Sequence, residues 1–407
     1  MGYSRRAVIS GAAAILASQA HAKAGRAKHQ LEKDVELYAG LGDKLTGSTG
    51  DLASARWLAS RLEGAGLKVD HQSVTCLMRE SHRVRMRGAA PMIGGLQFGS
   101  ADTASGVWRG QITSSPTSGT FALIDRPVPL HAYWPEIFMQ EILVAAQAGA
   151  RLALVRPSPG QADAPLLYNR PSGSAMFPIP VVVVAPSDYS RLNDLRGESM
   201  ELELPAAAKL VTSFNQIART RGFDRASKRI VISTPRTGWF ACGSERGAGI
   251  AALLDLAERA STQTEIGFCF VVTTGHEIGH LGMEKFLETE GLSPQRVTKW
   301  FHLGASIAAR LNTYNPPFRG MQSVFIHPTL EPKTVAQFAQ LGFDAFPLET
   351  GSTGEGGNII RRGYANILAL AGLHPHFHTP LDDGSAVDSA LLQAVIDRIW
   401  QLAIAAD

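Results

Sequence analysis

Thr273–Gly282 reads TTGHEIGHLG, and its reading decides the fold. Glu265–Val272, EIGFCFVV, precedes it as an apolar run of strand length, and Met283–Thr289 follows as a short helical pattern. A buried strand ending in a glycine followed by His276 and Glu277 sets two ionisable side chains at the carboxyl edge of a sheet. Open α/β sheets keep their sites there. The same residues contain HEIGH, a formal match to the HExxH motif, whose two histidines bind zinc from one helix face. Here a helix could begin no earlier than about His276, Gly279 and Gly282 weaken it, and no further histidine follows at the spacing of a third ligand. The strand-end reading is preferred, with His280 as a polar neighbour of His276.

Outward from this stretch, strand and helix patterns alternate. Upstream, Asp34–Thr46 has a short helical pattern, and Asp51–Gly64 reads as an amphipathic helix with Asp51 as N-cap. Leu67–Val74, Ser213–Ala218 and Arg229–Ser233 read as strands, and GIAALLDLAERA at Gly249–Ala260 as a helix. Downstream, strands are expected at Val297–His302, Gln322–Ile326, Ala345–Leu348 and Ala365–Ala371, with helices over Pro332–Leu341 and Ser385–Ala405. The alternation predicts an α/β fold, a doubly wound mixed sheet with helices on both faces. Between residues 106 and 204 the texture changes to short strands around one helix, with proline- and glycine-rich turns. The expected organisation is a signal segment over 1–22, a main domain over 30–105 and 205–407, and a small inserted α/β domain over 106–204.

Composition narrows the function classes. The chain has 407 residues, 45% of them hydrophobic and 18% charged, which suits a globular protein. A net charge of +3 with no basic stripe gives no case for a nucleic-acid partner. Three cysteines, Cys76, Cys242 and Cys269, make no disulfide framework. Ser4-Arg5-Arg6, the apolar Ala12–Ala17 and the small residues of Ala20-His21-Ala22 form a twin-arginine export pattern with cleavage after Ala22. That predicts a periplasmic or secreted protein with no membrane partner once the segment is removed. Oligomeric state is not legible.

These pieces together resemble the zinc aminopeptidase and glutamate-carboxypeptidase family (metallopeptidase family 28, clan MH) with an inserted protease-associated domain. The resemblance rests on TGSTG and the helix after it, the insertion, GAGIAALLDLA, TTGHEIGHLG and the late HTPLDD. It implies two zinc ions held by a strand-end HxD, a bridging Asp, the second Glu of a GEE, a later Asp and a late His, with the first Glu of GEE as general base. In this chain the HxD falls on Pro235-Arg236-Thr237, the bridging Asp on Glu245 and its Asn neighbour on Arg246. The GEE falls on Gly275-His276-Glu277, the later Asp on or near His302, the Asp of the usual SDH stretch on Glu355, and the late ligand on His378.

The resemblance then implies at most one zinc, on Glu277, His378 and Glu245, with His276 as general base and His302 as a fourth ligand or an acid. Such a site would hydrolyse peptide or other amide bonds in the manner of an exopeptidase, and a one-zinc site of this kind also resembles glutaminyl cyclase. The competing expectation is an inactive or metal-free homologue binding a peptide or small molecule in the cleft. There Glu245 would pair with Arg246 and Glu277 with Arg236. A third expectation removes the metal and gives the chemistry to Cys242 with His276 or His302, against the simpler reading of Cys242 as a small buried residue.

Overall fold

The computed structural model describes residues 28–87, 92–125, 139–156, 163–169, 175–289, 292–310, 322–326, 332–352 and 354–405. The export segment lies outside them. A first helix, α1, covers residues 28–40, earlier than the pattern at Asp34–Thr46. Helix α2 (Thr49–Gly64) leads to β1 (Lys68–Met78). A barrel segment follows, with β2 (Arg83–Arg87), β3 (Met92–Leu96), β4 (Gly106–Thr113), β5 (Phe121–Asp125), α3 (Met139–Gln147), β6 (Leu152–Arg156), β7 (Val181–Val183), α4 (Pro186–Asp194) and β8 (Ser199–Leu204). The main sheet resumes with β9 (Lys209–Arg219), β10 (Lys228–Pro235), α5 (Gly243–Ala260), β11 (Ile266–Thr273), α6 (Leu281–Thr289) and β12 (Lys299–Leu303). The chain closes with β13 (Gln322–Ile326), α7 (Pro332–Ala339), β14 (Phe343–Pro347), α8 (Gly354–Arg361), β15 (Ile367–Gly372) and α9 (Ser389–Ile404).

Among the described residues eight strands form the central sheet, in the order β1-β9-β11-β10-β12-β15-β13-β14. The core run β11-β10-β12-β15 is parallel, while β9 runs antiparallel to β1 and β11, and β13 runs antiparallel to β15 but parallel to β14. Central parallel strands are covered on both faces, so they are apolar throughout. Alternation sorts their side chains. Ile230, Ile232, Phe268, Phe270 and Val272 pack with α1, α2, α5 and α9, whereas Val231, Cys269, Val271 and Trp300 pack with α6 and α8. The protein is thus a mixed α/β fold with helices on both faces of its sheet.

Strands β2-β3-β7-β6-β5-β4-β8 close into a barrel with its own core, including Val84, Met86, Leu96, Phe121, Leu154 and Leu202. Its strands begin at Arg83, upstream of residue 106. The barrel leaves and rejoins the sheet through β1 and β9, which pair over their full length from Lys68↔Arg219 to Met78↔Lys209.

Two local readings are corrected. Ser48, not Asp51, caps α2, its hydroxyl accepting from the Asp51 amide. Helix α5 starts at Gly243, not Gly249, because Asp382 caps it from afar by accepting the Ser244 and Glu245 amides at 2.6 and 3.0 Å. The GEGGNIIR stretch is helix α8 despite its glycines. Its glycines serve close approach: a Cβ at Gly357 would overlap the Ser352 carbonyl oxygen, and one at Gly356 would crowd Ala369.

Candidate functional site

The carboxyl ends of β10, β11 and β12 converge with the first turns of α5 and α8 and with the loop before α9. After β11, Gly275 takes a positive φ of 71°, which turns the chain into a short 3₁₀ turn over His276–Ile278. Five non-glycine residues with positive φ, Phe240, Cys242, His280, Ser306 and His378, lie within this region. Such conformations persist where surrounding structure over-determines them.

Glu277 is fully buried. Its Oε1 accepts from the Thr46 amide at 2.8 Å and the Thr46 hydroxyl at 2.6 Å, and its Oε2 accepts from the Thr237 hydroxyl at 2.7 Å. It has no ion pair among the described residues. Burial raises its pKa, and the threonine bonds offset this only in part. Arg236, from the strand-end position, does not reach Glu277. It pairs with Asp51 at 2.6 Å, both side chains fully buried, and donates to the Phe214 carbonyl at 2.8 Å.

Glu245 lies in the first turn of α5 and pairs with Arg246, Oε1 to Nη2 at 2.7 Å. Burial alone would raise its pKa, but Arg246, with help from His378, holds it down at about 2. Arg246 also donates through Nε to the Thr237 carbonyl at 3.1 Å, and its buried Nη1 has no hydrogen-bond partner among the described residues. The Nδ1 of His378 donates to the Leu167 carbonyl at 2.9 Å, since a carbonyl can only accept, and its Nε2 faces Glu245 Oε1 at 3.3 Å. Leu167 belongs to the barrel segment, and its amide returns a bond to the His378 carbonyl. Trp239 adds a second tie, donating to Asn169 at 2.7 Å.

His276 pairs through Nδ1 with Glu355 Oε1 at 3.1 Å, and Glu355 also accepts from the Thr273 hydroxyl. Burial, then Arg246 and His280, push the His276 pKa well below its ordinary value, so the ring is neutral near pH 7. With Nδ1–H donated to a carboxylate, Nε2 carries the lone pair. His280 sits 4.8 Å from His276 between ring centroids and bonds Asn358 at 3.1 Å. His302, on β12, bonds Ser233 at 2.9 Å and is pushed down to about 4 by burial.

Glu245 and His378 therefore meet, while Glu277 is occupied elsewhere. Among the described residues no three His, Cys, Asp or Glu side chains gather as a metal-holding group. Both Glu277 oxygens serve threonine donors, and a guanidinium stands beside Glu245 where a second cation would be repelled. As arranged, the donors do not fit a three-ligand zinc site. Cys242 is buried, 3.5 Å from the Tyr38 hydroxyl, and burial pushes its thiol pKa up, which suits a packed residue and not a nucleophile. The threonine partners of Glu277 and the Asp382 cap escaped sequence reading. Thr46 lies within TGSTG, but only tertiary structure brings it to Glu277.

No protein-family model and no curated protein matches the chain. Solved structures do match. A zinc aminopeptidase from Bacillus subtilis superposes with TM-score 0.67 at 16% identity, covering 92% of this chain and 93% of that one. A peptidase M28 precursor from Shewanella amazonensis gives 0.66 at 16% identity, covering 93% and 95%. A glutaminyl cyclase from Porphyromonas gingivalis gives 0.51 at 11% identity, covering 92% and 97%. The chain thus shares the fold of these enzymes over nearly its whole length.

Proposed function

We propose that the chain is an exported cleft protein on the aminopeptidase fold that binds a peptide-like or small amide ligand without zinc. The bonding of Glu277 carries this reading. A carboxylate that already accepts three hydrogen bonds from Thr46 and Thr237 is satisfied without a metal. Arg246 takes the electrostatic part, neutralising Glu245 and leaving Nη1 for a ligand carbonyl or carboxylate. His276, oriented by Glu355, offers a neutral imidazole beside it. The inserted segment, read as a protease-associated domain, would border the cleft through its ties at Leu167 and Asn169. The twin-arginine start sends the protein to the periplasm or beyond, which cell fractionation checks: product confined to the cytoplasm would refute export.

One observation favours the alternative of a one-zinc hydrolase. His378 holds its outer nitrogen on a backbone carbonyl, as metal-ligating histidines do, with Nε2 towards Glu245. Zinc would there supply a water activated near neutral pH. The test is metal content of mature protein purified without chelators, alongside His378→Ala, with peptide binding followed by calorimetry. The expected result is no stoichiometric zinc and binding that survives chelator but weakens in Arg246→Lys. About one zinc per chain, lost in His378→Ala, with chelator-sensitive amide cleavage, would overturn the proposal.

A further inference from the structure

The opposite edge of the central sheet holds a cavity of about 670 Å³, within the range of small-molecule sites. It lies where β1 begins, β9 ends and β10 begins, remote from His276 at the carboxyl edge. Its charged lining among the described residues is mostly cationic, with Lys68, Arg219, Arg221, Arg229 and Arg296 beside Asp70 and Asp224. Asp70 is already taken, accepting from Arg219 at 3.0 Å and lying 3.1 Å from Lys68.

Arg229 is the unusual member. Its side chain is buried, with the residue 5% exposed, yet no carboxylate pairs with it among the described residues. Backbone carbonyls fix it instead. Nε donates to Phe223 at 3.0 Å and Nη2 to Asp224, and the guanidinium lies 5.5 Å from the Phe223 ring centroid. Nη1 has no bond among the described residues. Arg219 lies over the same ring at 5.9 Å. Arg221 and Arg296 stand exposed at the rim with no ion pair among the described residues. A buried cation without a counter-charge is costly, and clustered guanidinium groups add repulsion. Both costs vanish when an anion occupies the cavity.

We infer that this cavity binds a small, multiply charged phosphate ligand, an organic diphosphate or the like. Guanidinium groups match phosphate oxygens in pairs, and the rim arginines can engage a second phosphate group while Arg229 holds the first. The inference is independent of what the cleft does. Inorganic pyrophosphate titrated into the full mature chain by calorimetry tests it. Saturable one-to-one binding is expected, weakening with salt. Arg229→Gln should lower affinity roughly tenfold, and Arg221→Ala with Arg296→Ala by at least as much. The rim pair is exposed, so that double variant keeps its fold and gives a clean reading if Arg229→Gln does not. No saturation at millimolar pyrophosphate, or binding unchanged in the rim double variant, would overturn the site.

Discussion

The two edges of the central sheet treat buried charge in opposite ways. At the carboxyl edge each buried ion has an answer within the chain: Arg246 for Glu245, Asp51 for Arg236, threonine hydroxyls for Glu277, and His276 with Thr273 for Glu355. At the amino edge Arg229 rests on backbone carbonyls and has no carboxylate partner among the described residues. A fold that ordinarily builds its site at the carboxyl edge has here filled that edge with its own hydrogen bonds and two ion pairs. The clustered cations lie on the other side.

The largest effect should come from breaking a closed pair. Arg246→Met leaves Glu245 buried with only His378 beside it and should cost about 3–5 kcal/mol in urea unfolding. Adding Glu245→Gln should recover most of that loss. Equal losses in single and double variants would show that packing, and not pairing, matters there. Next comes acid. His302 has a folded pKa depressed to about 4, and its unfolded value is about 6.5. Between those values the unfolded chain holds a proton that the fold refuses. Its contribution is therefore full above pH ~6.5 and lost as pH falls towards 4, by at most about 1.4 kcal/mol per unit. His302→Asn, which can keep the Ser233 bond, should flatten the pH dependence of unfolding. An unchanged slope would remove His302 from the cause.

Smaller still is Glu277→Gln. Against neutral hydroxyl donors the change should cost roughly 1 kcal/mol and leave peptide binding intact. A collapse of binding or activity would reopen the ligand role of Glu277. Least of all, Arg221→Ala with Arg296→Ala should shift stability by no more than about 0.5 kcal/mol without pyrophosphate, because those side chains are exposed. A large loss would mean that they brace the edge.

The sheet was legible because its central strands are buried on both faces and so read as unbroken apolar runs, EIGFCFVV above all. The terminal helix α9 was legible from its period. What the sequence hid depends on distant contacts. The start of α5 is set by Asp382, more than a hundred residues away in the chain. Helix α8 tolerates its glycines because the packing around Gly356 and Gly357 leaves no room for a side chain. Barrel strands β2 and β3 are short and carry arginines or glycines, so they give weak patterns until they pair. At the site, His276 and Glu277 were picked out by their place at a strand end, and Glu245 by the family resemblance. Their partners were harder. Arg246 neighbours Glu245 in sequence and was foreseen as its ion pair, whereas Arg236 was expected on Glu277 and lies on Asp51.

The antiparallel pairing of β1 with β9 has a consequence for the order of folding events. Residues 79–208 form a single loop between two strands that pair residue for residue up to Met78↔Lys209. Closing so long a loop from an open chain is entropically costly, although each doubling of length adds only about 0.6 kcal/mol. Once the barrel forms, its own β2–β8 pairing, Arg85↔Glu203 among others, brings the two ends together. The remaining closure is then short, and β1 can zip onto β9 from the barrel end towards Lys68. In pulse-labelled hydrogen exchange, amides of β8 should gain protection before those at the Arg219 end of β9. The insertion is, in kinetic terms, the clasp from which the first edge of the sheet is drawn shut.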